Sequence, residues 1–203
     1  MANYYHRVFT SDTITAAELD KLTAFVVQET STSTEPAAAN MGSNPPAGFL
    51  YNIKNQIRWQ TDVGAIYVIE HDDQIVAVSG VEYAENTTAW AVGGIRTWIT
   101  PTHRTHKLPS EMLQQQTAWA RAHECNFMLV TFNEYNRALY TAVKRGIYRK
   151  SLGWSTWWDD CIAVPDPVVI RYTTQWCVIK PVLEQDNSVN LLELAVWSNT
   201  SNK

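Results

Sequence analysis

The chain has 203 residues, of which 45% are hydrophobic and 18% are charged, so it can bury a hydrophobic core. This balance excludes an intrinsically disordered chain, which would be poorer in apolar residues. The net charge of −4 argues against a general nucleic-acid-binding protein, because such domains are usually basic. We therefore expect a single globular domain over residues 1–203 without a nucleic-acid partner.

The sequence shows neither an export signal nor a membrane span. Residues 1–7 contain no apolar run after their basic residue, and no stretch of about 18 apolar residues occurs. Three widely spaced cysteines without a C-x-x-C pair are typical of free thiols in a reducing compartment. These features predict a cytoplasmic protein with no membrane partner.

The first third of the chain predicts a strand, two helices and a β-hairpin. A strand is expected over residues 4–9, a second helix over 49–60, and a hairpin over 65–81 with its turn at His71-Asp-Asp73. The sequence Thr15-Ala-Ala-Glu18 is a capping box, and apolar residues at helical spacing continue the first helix to about Gln28. Residues 31–48, rich in Ser, Thr, Asn, Pro and Gly, are expected to form a mobile loop.

The rest of the chain alternates between helical and β-rich segments. Strands are expected over residues 88–100 and 126–132, and helices over 110–124 and 136–145. In the C-terminal part, residues 168–179 are the clearest strand, and residues 147–152 and 161–164 are shorter candidates. Residues 181–203 are interpreted as a C-terminal extension. Its apolar tail after Asn190 could make a homodimer contact, and residues 190–197 could form a helix or a strand.

Nine tryptophans are many for this length, and four of them lie between residues 154 and 176. They could pack within the core, or they could form an aromatic surface for a ligand or partner.

The order of these elements and two local motifs resemble the GCN5-related N-acetyltransferase (GNAT) superfamily. Ile99-Thr-Pro-Thr-His-Arg104 resembles the family pattern V-x-P-x-(Tyr/Phe/His)-Arg at the end of the fourth strand. Asn133-x-x-Asn136-x-x-Leu139-Tyr140 resembles the pattern N-x-x-A-x-x-L-Y that follows the fifth strand. The resemblance implies an α/β (α+β) fold, with a mixed central sheet and helices on both faces.

The resemblance also implies that acetyl-CoA is the acetyl donor. The backbone near Trp98 and Ile99 would pair with the pantetheine arm, and the following turn and helix N-terminus would face the pyrophosphate. Asn133 would hydrogen-bond the pantetheine arm or a water, and it could equally be a helix N-cap. The implied cofactor-binding residues are Trp98, Ile99, Arg104, Thr105, His106, Lys107, Ser110 and Asn133.

The pyrophosphate turn departs from the family pattern Arg/Gln-x-x-Gly-x-Gly/Ala. Here it reads Arg104-Thr-His-Lys107-Leu-Pro109, so both glycines that would let backbone N–H groups close around the pyrophosphate are replaced. Pro109 cannot donate a hydrogen bond, although it suits the first turn of a helix. Charge from Arg104 and Lys107 could compensate. Alternatively, this segment is a surface turn before a capped helix. Degenerate turns of this kind resemble those of bacteriophage-encoded members.

The catalytic roles implied by the resemblance fall on two residues. Tyr140 matches the tyrosine that protonates the leaving thiolate, a role that a phenol with a pKa of ~10 can fill. The fourth strand carries no acid, so the general base must come from elsewhere. No acid stands out: Glu82 is our candidate, Glu85, Asp159 and Asp160 are the other carboxylates, and each of the four could instead be a solvated surface carboxylate.

His103 and His106 have the H-x-x-H spacing of metal ligands. We find no third ligand in the sequence, so no metal site is predicted.

Two functions follow from this reading. The first is an N-acetyltransferase that moves an acetyl group from acetyl-CoA to an unidentified amine, by direct attack in a ternary complex. The second is a catalytically inactive GNAT-fold binding or structural protein, which the altered turn and the missing base favour. A phosphate-ligand binder outside the acyl-CoA class is a third interpretation. An inactive protein could have its cleft filled by side chains such as Trp98.

Overall fold

A computed structural model of the chain describes residues 3–32, 49–84, 89–104, 108–133, 156–158, 160–164, 168–170 and 173–183. The helices within these ranges are α1 (Ala16–Thr32), α2 (Phe49–Val63) and α3 (Leu108–Ala122). The strands are β1 (Tyr5–Phe9), β2 (Gly64–His71), β3 (Gln74–Tyr83), β4 (Trp90–Ile99), β5 (Phe127–Asn133), β6 (Ile162–Ala163), β7 (Val168–Ile170) and β8 (Thr173–Pro181). The predictions for residues 136–145, 147–152 and 190–197 lie outside the described ranges.

The strands form one mixed sheet in the order β1-β2-β3-β4-β5-β8-β6, with β7 also paired to β8. The β4–β5 pair is parallel, whereas β2 pairs antiparallel with β1 and β3, and β8 pairs antiparallel with β5. Contacts divide the chain into two compact units: residues Met1–Glu82 with Gly94–Gln115, and residues Tyr83–Gly93 with Gln116–Lys203. The single domain expected from the sequence therefore stays a prediction.

Both faces of the first unit's strands are covered by helices, as predicted. On one face, β-strand side chains pack with α1 and α2 in a core of Phe9, Leu19, Leu22, Phe25, Val26, Ile53, Ile57, Ile66, Val68, Ile75 and Val78. Tyr67 lies between Ile66 and Val68 and points to the opposite face. Its hydroxyl donates to the carbonyl oxygen of Gln115 on α3 at 3.3 Å. Burial raises the pKa of Tyr67 to about 12.

The predicted capping box begins α1. The Thr15 N–H donates to the Glu18 carboxylate at 2.9 Å, and the Glu18 N–H donates to the Thr15 hydroxyl oxygen at 3.3 Å. The pKa of Glu18 is lowered below its usual 4.5. The hydrogen bond from the Thr15 N–H contributes most to this, followed by the Thr15 hydroxyl and by Arg7. Each partner satisfies a backbone N–H that the first helical turn leaves without an intrahelical acceptor.

We expect Glu18→Gln to lower the free energy of unfolding by about 0.5 kcal/mol at pH 7, because glutamine can keep the capping-box hydrogen bond but loses the negative charge at the helix N-terminus. Because the folded state lowers the pKa of Glu18, this carboxylate adds stability above its unfolded pKa near 4.5, and that contribution is lost as the pH falls further. The difference from wild type in urea unfolding should therefore shrink between pH 5 and pH 3. A difference that does not change with pH would contradict this account; Asp12→Asn, an exposed carboxylate in the preceding turn, is the control.

The predicted hairpin is confirmed, with His71 opposite Gln74 and a two-residue turn at Asp72 and Asp73. Both turn residues have positive φ, 49° and 59°. Positive φ at both positions defines the type I′ turn, whose twist matches that of the flanking strands. Aspartate tolerates this backbone conformation better than most residues with a side chain.

Two sequence-based boundaries are wrong. The single strand expected over residues 168–179 is instead the antiparallel pair β7 and β8, with Ile170 opposite Thr173. β-branched residues continue on both sides of the reversal, and no Gly, Pro or Asn marks it. Helix α1 ends at Thr32 rather than Gln28, because buried Glu29 continues the inward face of Phe25 and Val26. Residues 31–32 of the expected mobile loop therefore belong to α1, and residues 33–48 lie outside the described ranges.

None of the described helices is both long enough and apolar enough to span a membrane.

Candidate functional site

The parallel pairing of β4 with β5 covers Trp90–Gly93 and Phe127–Val130. Gly93 is the last β4 residue in this pairing, and its surroundings leave no room for a side chain. A Cβ added there would lie 2.7 Å from Met128 Sδ and 3.0 Å from Gln116 Oε1, so a side chain would displace both. Glycine therefore lets β4 approach its neighbours closely at this point.

β4 bulges directly after Gly93. Gly94 has a φ of 70°, the left-handed region that glycine adopts without strain. Two hydrogen bonds mark the ends of the β3–β4 pairing: the Thr100 N–H donates to the Val76 carbonyl, and the Ala84 N–H donates to the Trp90 carbonyl. Between these bonds the chain advances ten positions on β4, from Trp90 to Thr100, but only eight on β3, from Val76 to Ala84. β4 thus contains two extra residues, and Gly94 is where its backbone leaves regular strand geometry.

Two hydroxyl groups attach this bulge to β3. The Thr97 hydroxyl donates to the Gly94 carbonyl oxygen at 2.8 Å, and its oxygen lies 2.7 Å from the Ser79 hydroxyl oxygen. Because the single Thr97 hydroxyl proton is given to Gly94, Ser79 is the donor in the second contact. Ser79 is buried and Thr97 is exposed. The two successive hydrogen bonds therefore link a buried side chain of β3 to the Gly94 carbonyl at the bulge.

Glu82, the predicted general base, lies beside the bulge. In the register of the Ser79–Thr97 contact, three residues further along each strand are Glu82 on β3 and Gly94 on β4, where regular pairing ends, so we place Glu82 across from the bulge. Residues two apart on a strand face the same side of the sheet, so Glu82 shares the side of Gly80. That side faces α2, because a Cβ added to Gly80 would meet the buried side-chain amide of Gln60. Only 1% of Glu82 is exposed to solvent. The structure therefore places a buried carboxyl group on β3 across from the irregular part of β4.

The end of β4 is anchored to the sheet and to the core. The Thr100 N–H bonds to Val76 at 2.9 Å, and Ile99 is buried. The Trp98 indole is partly buried against the core cluster beneath α1 and α2. Its side chain is thus part of the packing in the first unit, and any contact with an added ligand strand would come from its backbone.

The turn after β4 is a 3-10 turn over Pro101–His103. The Arg104 N–H donates to the Pro101 carbonyl at 3.4 Å, and Arg104 Nε donates to the Ile99 carbonyl at 3.0 Å. The positive charge of Arg104 also acts on Glu29 of α1. Burial raises the pKa of Glu29, and the nearby Arg104 charge partly opposes this rise. Arg104 is thus bound back onto the end of β4, a local role that the motif did not predict.

The first turn of α3 begins at Leu108, so Pro109 occupies an early helical position, as its fixed φ favours. Ser110 is partly exposed in this turn, where backbone N–H groups have no intrahelical acceptors. Glu111 lies beside it and pairs with His6 at 3.6 Å. A helix N-terminus favours an anion, but Glu111 adds negative charge, so anion binding here needs a nearby cation.

Several predicted site residues fall outside the described part of the chain. These are Thr105, His106, Lys107 and Tyr140, together with the side chain of Asn133. The backbone of Asn133 is described, and it pairs with Gln175 in the register of β5 and β8. Their predicted roles stay predictions.

The cysteines are free, as expected, and all three are buried. Burial raises the pKa of the Cys125 thiol to about 11 and that of Cys177 to about 12. Neither thiol would ionise near neutral pH, so neither suits the role of an acyl-accepting nucleophile. Within the described ranges, no three His, Cys, Asp or Glu side chains cluster as metal ligands would.

Two of the clustered tryptophans belong to the packing of the second unit. Trp157 and Trp158 are buried, and Trp157 Nε1 donates to the Thr117 hydroxyl oxygen at 2.9 Å. Lys180 Nζ donates to the Trp157 carbonyl at 2.6 Å and pairs with Asp160 at 3.0 Å. For Trp157 and Trp158, the core interpretation is correct.

Sequence reasoning missed the bulge and its two hydroxyl residues. Consecutive glycines inside a predicted strand were the available signal, since glycine in a strand often marks a bulge. The contact between Ser79 and Thr97 had no such signal, because it depends on the register of two strands.

No protein-family model matches the sequence, and no curated protein matches it either. Solved structures do share its fold. Diaminobutyrate acetyltransferase EctA from Paenibacillus lautus, solved with L-2,4-diaminobutyric acid and coenzyme A, aligns with a TM-score of 0.57 and 12% identity over 92% of this chain and 100% of its own.

Two further structures give the same result. A GNAT-family acetyltransferase from Streptococcus pneumoniae has a TM-score of 0.57 and 11% identity, covering 89% of this chain and 100% of its own. YncA from Salmonella typhimurium, solved with its cofactor acetyl-CoA, has a TM-score of 0.57 and 12% identity, covering 93% and 99%. The parallel β4–β5 pair, the order of strands around it and these alignments agree: the chain has the GNAT acyltransferase fold.

Proposed function

We propose that the protein is an N-acetyltransferase that transfers the acetyl group of acetyl-CoA to an amine. The observation that carries the proposal is the buried carboxyl group of Glu82 beside the Gly94 bulge of β4. A bulge turns backbone groups out of the ladder, and a nearby carboxylate can accept a proton. The shared fold supports the same kind of reaction by analogy, since one fold can serve several functions.

In the proposed reaction, Glu82 takes a proton from the acceptor ammonium group, directly or through one water. The neutral amine then attacks the thioester carbonyl carbon, while backbone N–H groups at the bulge stabilise the negative charge on the oxygen. Collapse of this intermediate forms the amide and breaks the carbon–sulfur bond. The CoA thiolate leaves and takes a proton from Tyr140, whose role comes from the sequence motif, and the nitrogen of the new amide gives up its second proton, which restores the Tyr140 phenol.

The cofactor would lie along β4 and at the N-terminus of α3. The backbone of Trp98 and Ile99 supplies the strand edge, and Ser110 with its neighbouring N–H groups supplies donors for the pyrophosphate. Arg104 is already bound to the Ile99 carbonyl, so we assign it to shaping this turn. Lys107 is the remaining cation of the motif, and we propose it as the charge that compensates for the missing glycines.

Initial rates of CoA thiol release from acetyl-CoA, measured with a panel of primary amines, test the proposal. We expect at least one amine to raise the rate well above acetyl-CoA hydrolysis, with formation of its acetamide detected by mass. Tight CoA binding without transfer to any amine class would instead favour a GNAT-fold binding protein. In that case acetylation is the wrong function.

A further inference from the structure

The Gly94 bulge needs an external restraint if it is to present one conformation. Glycine adopts positive and negative φ with almost equal ease, so the φ of 70° at Gly94 is not fixed by the residue itself. The hydrogen bond from the Thr97 hydroxyl to the Gly94 carbonyl oxygen supplies such a restraint. Ser79 extends it, because its buried hydroxyl donates to the Thr97 oxygen and orients the Thr97 proton toward Gly94.

Fixing the Gly94 carbonyl also fixes the next N–H group. The Gly94 carbonyl and the Ile95 N–H belong to one planar peptide group, and cis peptide bonds are absent from the described residues. In a trans peptide these two groups point in opposite directions. A hydrogen bond that holds the Gly94 oxygen toward Thr97 therefore holds the Ile95 N–H away from it.

We propose that Thr97 and Ser79 are positioning residues that direct the Ile95 N–H at the bulge of β4 toward the acyl carbonyl oxygen. This inference rests on the proposed acetyl transfer. Donors that stabilise an oxyanion are most effective when their direction is set before the reaction. Two hydroxyl groups, one of them buried, set that direction here through the Gly94 carbonyl.

The test compares Thr97→Val, which keeps the shape of the side chain without its hydroxyl, with Thr97→Ser, which keeps the hydroxyl. We expect Thr97→Val to lower kcat about tenfold while the KM for acetyl-CoA changes less than about twofold. Thr97→Ser should stay within about twofold of wild type. Ser79→Ala should lower kcat in the same direction by a smaller factor, because it removes only the outer donor.

A purely structural role predicts a different pattern, in which Thr97→Val lowers the melting temperature and leaves kcat unchanged. Equal kcat values for Thr97→Val and Thr97→Ser would overturn the positioning role.

Hydrogen exchange separates this inference from the proposed function. The segment covering residues 93–98 should exchange about tenfold faster in Thr97→Val than in Thr97→Ser. If wild type transfers acetyl to no amine, the proposed function and the catalytic part of this inference both fail. Faster exchange would then still establish the restraint on the bulge, and equal exchange would overturn it.

Discussion

Replacing Glu82 with glutamine is expected to lower kcat for acetyl transfer by a factor of roughly 100 or more. Glutamine matches the shape of glutamate but cannot accept the proton of the acceptor ammonium group. CoA affinity, measured by calorimetry, should stay unchanged, since Glu82 lies beside the bulge and not at the pyrophosphate turn.

The matched control for this prediction is Glu70→Gln. Glu70 is a partly buried glutamate on the neighbouring strand β2, where it pairs with Lys21 at 2.8 Å and with Arg7 at 3.7 Å. Losing these surface pairs should cost about 0–1 kcal/mol of stability and leave kcat within about twofold of wild type. If Glu82→Gln retains more than half of the wild-type kcat, Glu82 is not the general base.

Gly64→Ala should destabilise the protein by about 3 kcal/mol. Gly64 lies directly opposite Glu82 where β2 begins, and an added Cβ would overlap the Val81 carbonyl oxygen and lie 2.7 Å from the Glu82 Cα. Both obstacles are backbone atoms, so only a shift of one strand could relieve the overlap. Urea unfolding measures the loss, and kcat should fall as well because Glu82 moves with its strand.

Gly80→Ala is the matched comparison on β3. Its added Cβ would meet the side-chain amide of Gln60, and a side chain can change rotamer at smaller cost than a strand can move. We expect a loss of about 1 kcal/mol there. If Gly64→Ala and Gly80→Ala lower the free energy of unfolding equally, the close backbone approach at Gly64 does not limit the stability of the protein, which would contradict this account.

Much of the fold was predictable because it depends on local chemistry. The capping box at Thr15 and Glu18 and the turn at Asp72 and Asp73 involve residues within three positions of each other. The reversal between β7 and β8 was not predictable in this way, because no turn residue interrupts its β-branched sequence. Only the pairing of β7 with β8 in the folded structure distinguishes this hairpin from one long strand.

The candidate site was predictable only in part, for a related reason. Glu82 was a candidate because few acids lie near the fourth strand, but its burial next to Gly94 follows from strand register. The Thr97–Ser79 contact joins residues 18 positions apart and has no local signature. The expected phosphate role of Arg104 stays a prediction, whereas the hydrogen bond from its Nε to the Ile99 carbonyl had no signal in the motif.

Titration calorimetry with CoA tests the central claim most directly, because every step of the proposed reaction requires the cofactor to bind at the α3 N-terminus. We predict saturable binding with a Kd between about 1 μM and 1 mM. Ser110→Glu, which adds negative charge in the first turn of α3, should weaken binding about tenfold or more, whereas Gln114→Glu, one turn later, should change it less than about twofold. No detectable binding at about 1 mM CoA, together with an unchanged melting temperature, would contradict the account.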